Sequence, residues 1–256
     1  MCNDAITTGF SSLDRVLGGL RPGTLNVFAG RPLEGKTSLA LDIAKSVAGR
    51  SGKAVVYFSK DNRINVVRRV IESSMQLNQL IGDCESISKM TGGVTGLPIY
   101  IDDRMPHAAL KYIITRIEGL LFLNVDIGLV IIDDIECLKK DTADINSIFN
   151  TYFELKRNAV EFGIPVIAIA KVPKDFEYGE KGFPGSADIV KLPFAETVDN
   201  IVFVYNPACL SPRSALVDKG RYQFDAKLLI VKNKFGDKDI AVNMLWDCNR
   251  LTFQAF

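Results

Sequence analysis

The sequence predicts an α/β fold: a mostly parallel central sheet flanked by helices, with a C-terminal antiparallel extension. Three observations lead there. Short, almost wholly apolar runs alternate with segments of helical period through the first two thirds of the chain. Glycine, proline or charge punctuates the boundaries. The later runs follow one another with no helical segment between them. Strands that are apolar throughout are buried on both faces, as in parallel sheets built from strand–helix–strand crossovers. Strands without an intervening helix favour antiparallel pairing.

The elements follow in order. TLNVFAG (24–30) is a strand. From Lys36, the residues Leu39, Ile43 and Val47 fall four apart and mark one face of a helix, which Gly49 and Gly52 end. AVVYFS (54–59) is a second strand, INVVRRVIESSMQ a helix, and LPIYIDD (97–103) a third strand. Leu110, Ile113, Ile117 and Leu120 mark another helical face. IGLVIIDD (127–134) is an apolar strand that ends in two acids. Ile145, Ile148, Phe149, Tyr152, Leu155 and Phe162 trace a long helix closed by Gly163, and PVIAIA (165–170) is a fifth strand. The stretch 171–196 carries three glycines, three prolines and mixed charge, and is expected to be a long functional loop. NIVFVY (200–205), AKLLIVKN (226–233), DIAVNMLWD (239–247) and RLTFQ (250–254) supply the antiparallel extension.

Composition sets the bounds. A chain of 256 residues is one large α/β domain or two small ones, and no linker, repeat or low-complexity tract divides it. A single domain over 1–256 is expected. A hydrophobic content of 47% supports a sizeable core and excludes a mostly disordered chain. The net charge of +1 announces no polyanion partner, although a local basic patch suffices for nucleic acid. Cys2, Cys84, Cys137, Cys209 and Cys248 form no C-x-x-C pair and read as reduced thiols of a cytoplasmic protein. The N-terminus lacks the basic and apolar regions of a signal peptide, and no apolar run reaches the roughly 20 residues of a membrane helix. His107 is the only histidine, so neither a His-based metal site nor a Ser-His-Asp triad is available.

The chemistry concentrates in GRPLEGKTS, which fits G-x-x-x-x-G-K-[ST] between a strand and a helix. Gly30, Arg31, Pro32, Leu33, Glu34, Gly35, Lys36, Thr37 and Ser38 are the candidate cofactor-binding residues. In such a loop, backbone N–H groups turn onto phosphate oxygens and the helix N-terminus adds its positive end. Lys36 would pair with the β- and γ-phosphates and Thr37 would ligate Mg²⁺, which points to ATP and Mg²⁺ as cofactors. Glu34 puts a carboxylate in the middle of the loop. Because the amides face the phosphates, its side chain can point outward, where solvation makes the charge tolerable.

Asp133 and Asp134 end a buried strand, where an acid holds Mg²⁺ through water, and Asp133 is the expected metal partner. Asp61, just past the second strand, is the candidate base for the attacking water, against the plainer alternative of a helix N-cap. Asp102 and Asp103 end the third strand and read as helix-capping acids. Lys232 and Lys234 flank Asn233 at a late strand end. They reach a neighbouring subunit's γ-phosphate or are simply solvated, and the residues alone leave both open. Lys139, Lys140, Lys174, Lys181 and Lys191 lie in loops where they would touch a nucleic-acid backbone, or are ordinary surface lysines.

These motifs resemble the C-terminal, RecA-like motor domain of the bacterial replicative helicase DnaB family, including its phage and mobile-element relatives. The residues that carry the resemblance are TTGFSSLDRVLGGLRPGTLNVFAGRPLEGKTSLALDIA (7–44), VVYFSKDN (55–62), PIYIDD (98–103), IGLVIIDD (127–134), LKRNAVEFGIPVIAIAK (155–171), VDNIVFVYN (198–206) and LLIVKNKFGD (228–237). They span nearly the whole chain. The resemblance implies a RecA-like P-loop NTPase that hydrolyses ATP at the subunit interfaces of a homohexameric ring and translocates on single-stranded DNA in replication. It places Lys36 and Thr37 on phosphate and Mg²⁺ and makes Asp133 the acid of the second nucleotide motif. It puts Asp61 where the family has a catalytic glutamate, and Lys171 where a glutamine senses the γ-phosphate. Lys232 matches a family lysine, and Lys234 stands in the place of the arginine finger.

Three of these positions depart from the family. Asp for Glu shortens the base by roughly 1 Å, a misplacement that costs about a hundredfold in rate. Lysine at 234 keeps a finger's charge without its planar fork. Lys171 cannot accept a hydrogen bond as glutamine does. Together they predict preserved binding and slow hydrolysis. A fourth departure is that the chain begins almost at the motor domain. The expectation is that the family's N-terminal domain and linker helix are absent, which weighs against a ring. Two other readings stay open. One is a degenerate nucleotide-binding relative acting as a loader or regulatory subunit. The other is a recombinase or circadian-clock type of ATPase on the same fold.

Overall fold

The computed structural model describes residues 5–60, 65, 97–104, 110–138, 145–172, 184–192, 194–210 and 223–255. Nine strands among them form one sheet: β1 Leu25–Gly30, β2 Ala54–Ser59, β3 Ile99–Asp102, β4 Ile127–Asp133, β5 Val166–Lys171, β6 Asn200–Tyr205, β7 Gln223–Asn233, β8 Ile240–Asp247 and β9 Thr252–Ala255. Their spatial order is β3-β2-β4-β5-β1-β6-β7-β8-β9. All pairings from β3 to β6 are parallel and all from β6 to β9 antiparallel. This is the expected mixed sheet. The helices are α1 Ser11–Leu17, α2 Lys36–Ser51, α3 Leu110–Phe122 and α4 Ile145–Phe162.

The sheet is parallel because its strands have two apolar faces to bury. Every residue of β1 and of β2 is buried. Alternate residues serve two separate cores, one on each side. Phe28, Val55, Tyr57, Leu129, Ile131, Val202 and Val204 pack towards α2. Val27, Val56, Phe58, Val130, Ile132, Ile201 and Phe203 pack towards α3 and α4. Successive side chains point to opposite faces, so both sides need a helical cover.

The described elements add to the sequence reading in three places. Helix α1 was not expected; its seven residues bury only Leu13 and Leu17, too short a pattern for periodicity to register. The stretch 171–196 starts with the last residue of β5 and contains a short 3₁₀ helix, Ser186–Lys191. Among the described residues, Asp102 makes contacts other than a helix cap. Its carboxylate accepts the Arg104 N–H, the Tyr112 hydroxyl and the Arg116 guanidinium, tying β3 to the side chains of α3. Of the expected helix over INVVRRVIESSMQ only Asn65, which is helical, is described; its other residues, together with Asp61, His107, Lys139, Lys140, Lys174 and Lys181, lie outside the described residues. No helix among the described residues is long and apolar enough to cross a membrane.

Candidate nucleotide-binding site

Strand order brings the candidate residues to one edge. β5 lies between β1 and β4, with Gly30 opposite Lys171, and β4 lies beside β2, with Asp133 opposite Ser59. Parallel strands end together, so the loop after β1, Lys171 and the two acids at the end of β4 share the carboxyl-terminal edge of the sheet. Parity supplies the rest. Leu129, Ile131 and Asp133 fall on the α2 face, where the loop turns into its helix.

The loop is built for close backbone approach. Gly35 precedes α2 with φ 89°, a left-handed conformation that favours glycine. A Cβ there would come within 3.0 Å of the Phe253 ring and 3.4 Å of Trp246. Those rings come from β9 and β8 and pack 4.8 Å apart, centroid to centroid. The C-terminal hairpin thus forms the floor beneath the loop. Asp42 of α2 fastens it by accepting the Phe253 N–H at 3.0 Å.

Lys36 is buried at the start of α2. Among the described residues it donates to the carbonyl oxygens of Gly30 at 2.8 Å and Arg31 at 2.6 Å. An ammonium carries three donors, so one remains for a ligand. Burial pulls its pKa down to about 8; Glu34, Asp133 and Asp134 favour its charge, and Lys171 opposes it. Those four groups therefore stand within electrostatic reach of the ammonium. Thr37 and Ser38 follow on the first turn of α2, both partly buried.

Glu34 corrects the sequence reading. It does not point into solvent. It is 0% exposed, and its Oε2 accepts the Arg31 N–H at 2.6 Å. The outward position belongs instead to Leu33, which is 76% exposed with φ 72°.

The two acids divide. Asp134 is buried and ion-paired with Lys171, whose pKa is raised by that hydrogen bond against the opposing effect of burial. Asp133 accepts the Tyr57 hydroxyl at 2.8 Å. Tyr57, on neighbouring β2, escaped the sequence reading because it sits in an apolar run and looks like core. Its signal is parity: 57 and 133 share a face once β2 and β4 are known to be neighbours. The donor set fits Mg²⁺, a hard cation that prefers oxygen: the Thr37 hydroxyl and the Asp133 carboxylate. No cluster of three His, Cys, Asp or Glu side chains suited to a metal occurs among the described residues.

Lys232 and Lys234 are not brought to this edge. Lys232 pairs with Ile201 and the Lys234 N–H reaches the Asp199 carbonyl, both at the start of β6. Asn200 pairs with Asn26, four residues upstream of Gly30, which puts roughly 13 Å of strand between them and the loop. Lys232 donates to the carbonyl oxygens of Ala195 at 2.6 Å and Glu196 at 3.4 Å. Lys234 is ion-paired with Asp199 at 2.9 Å. Lys191 ends the 3₁₀ helix.

Comparison with known proteins agrees with this architecture. The family model described as DnaB-like helicase C terminal domain matches residues 5–255. The replicative DNA helicase DnaB of Leifsonia xyli is 26% identical over 243 residues, 90% of this chain and 52% of the relative. The replicative DNA helicase DnaC of Bacillus subtilis is 27% identical over 215 residues, 78% of this chain and 47% of the relative. The chain spans about half the length of these curated relatives. Among solved structures, a DnaB-like replicative helicase matches with a TM-score of 0.79 at 20% identity, covering 98% of this chain and 63% of that one. The RadB recombinase matches with a TM-score of 0.59 at 18% identity, covering 98% and 99%. These likenesses establish the RecA-like fold. With a family model matched from end to end of the described sheet, this chain belongs to the family of DnaB-like helicase C-terminal domains.

Proposed function

We propose that the chain is the ATP-binding motor domain of a cytoplasmic DnaB-like DNA helicase, coupling ATP hydrolysis to binding and translocation of single-stranded DNA in replication. The observation that carries this is the convergence of Lys36, Asp133, Asp134 and Lys171 on a glycine-bounded loop at one sheet edge. The amides of Gly30–Ser38 and the Lys36 ammonium take the phosphates of ATP. Thr37 and Asp133 would hold Mg²⁺, with Tyr57 fixing the Asp133 carboxylate. Bound there, the ion would supply neutralisation of phosphate charge. Asp61 orients and deprotonates water, and Lys171 addresses the γ-phosphate. Lys232 and Lys234, at the far edge, serve only the site of a neighbouring chain, so their role requires a ring, expected to be a homohexamer.

The test is ATP turnover with and without single-stranded DNA, beside a Lys36→Ala control. Turnover stimulated by DNA and lost in the control is expected. Asp61→Asn should abolish turnover while leaving nucleotide affinity nearly unchanged. DNA binding should fall steeply with salt and strengthen with a non-hydrolysable ATP analogue; no binding at low salt removes the helicase reading. A second reading, a nucleotide-binding regulatory or loader relative with little hydrolysis, is favoured by the buried Glu34 and the Lys171–Asp134 pair. It predicts turnover near background that DNA leaves unchanged.

A further inference from the structure

The phosphate-binding loop folds an anion of its own back onto its first residues. Adjacent residues are inverted with respect to solvation: Leu33 faces solvent, while Glu34 is fully buried. A buried carboxylate is costly unless charge and hydrogen bonds offset it. Part of that compensation comes from the loop's own backbone. Glu34 Oε2 accepts the Arg31 N–H at 2.6 Å. The same oxygen lies 2.8 Å from where a Cβ on Gly30 would stand, so the side chain folds back over the end of β1. Lys36 binds the carbonyl oxygens of Gly30 and Arg31, the two residues that Glu34 also touches. Glu34 is also the foremost charge opposing the loss of the Lys36 proton to burial.

We propose that Glu34 is an intramolecular occupant of the cradle, a tethered competitor that a polyphosphate must displace before the Arg31 N–H and the Lys36 ammonium can serve it. This rests on the nucleotide-site reading above and adds a restraint to it. A carboxylate and a phosphate cannot share one backbone N–H without strong repulsion between like charges. Binding therefore selects loop conformations with Glu34 turned out. The apparent dissociation constant rises by the inverse of their population. Single charges and weak anions are shut out. A polyphosphate accompanied by its cation has the charge to expel the side chain.

The experiment compares the full chain with Glu34→Gln and Glu34→Ala, titrating Mg-ATP and, separately, inorganic tripolyphosphate by calorimetry, with circular dichroism to check folding. Both variants should bind both ligands at least tenfold more tightly than the parent, Glu34→Ala at least as tightly as Glu34→Gln. Glutamine keeps the size and the acceptor, so it isolates the charge even if alanine disturbs the loop. Equal or weaker binding by the folded glutamine variant, with the parent binding Mg-ATP, overturns the proposal and leaves the nucleotide site standing. Absence of Mg-ATP binding in parent and both folded variants overturns both.

Discussion

The two edges of the parallel sheet use the same materials, carboxylates and lysines, to opposite ends. At the amino-terminal edge, Asp199 is 2% exposed, and it accepts the Leu25 N–H at 2.9 Å, Lys156 at 2.6 Å and Lys234 at 2.9 Å. Burial pushes its pKa up, but the hydrogen bonds from Lys156, Lys234 and Leu25 outweigh it and hold the carboxyl below the usual range. At the carboxyl-terminal edge, Lys36 is buried on neutral carbonyls, and burial draws its charge down. One edge has compensated its charges and joins β1, β6, β7 and α4. At the other, burial of Lys36 outweighs the attraction of Glu34, Asp133 and Asp134, so an arriving anion adds to an incomplete compensation. The lesson is that burial of charge alone does not mark a functional site; incomplete compensation does.

Perturbing each edge should break this contrast in a characteristic way. The largest effect is expected from Lys36→Ala, with nucleotide affinity down at least a hundredfold by calorimetry. Asp199→Ala should do the reverse, costing about 2–4 kcal/mol by urea unfolding through an orphaned Leu25 N–H and two uncompensated lysines, with nucleotide affinity within about twofold. Its pH dependence follows from the lowered pKa. The stability from Asp199 is fully present above the unfolded carboxyl value of about 4 and is lost as pH falls through the lower folded value. The gap between parent and variant should therefore be flat near neutrality and close in acid. Tyr57→Phe should reduce turnover about tenfold, at a stability cost of about 1 kcal/mol, because Asp133 loses its phenolic donor. The smallest effect is expected from Lys234→Ala. This half-exposed residue should cost less than about 1 kcal/mol. Turnover should fall only at concentrations where chains assemble, which a dilution series would reveal.

The parts of this architecture that depend on neighbours in sequence were legible from the chain alone. The alternating apolar runs foretold β1, β2, β4 and β5, and the motif at 30–38 foretold the loop with its glycine at Gly35. Asp133 followed from a strand that ends in acid. What escaped depends on contacts between distant segments. Tyr57 reads as core until β2 is seen beside β4. The Asp102 bonds to Tyr112 and Arg116 need α3 to be seen beside β3. Lys232 and Lys234 have no assigned edge until the direction of β7 is known. Glu34 failed for a different reason. The outward reading considered only phosphate as a partner for the loop, whereas the Arg31 N–H and the nearby Lys36 also favour the adjacent carboxylate.

The chain has one tryptophan, and its indole rests on the ring beneath Gly35. Any rearrangement at that glycine changes the surroundings of a single fluorophore. Events at the loop can therefore be followed by intrinsic emission, with no label and no second chromophore of its kind to confuse the signal.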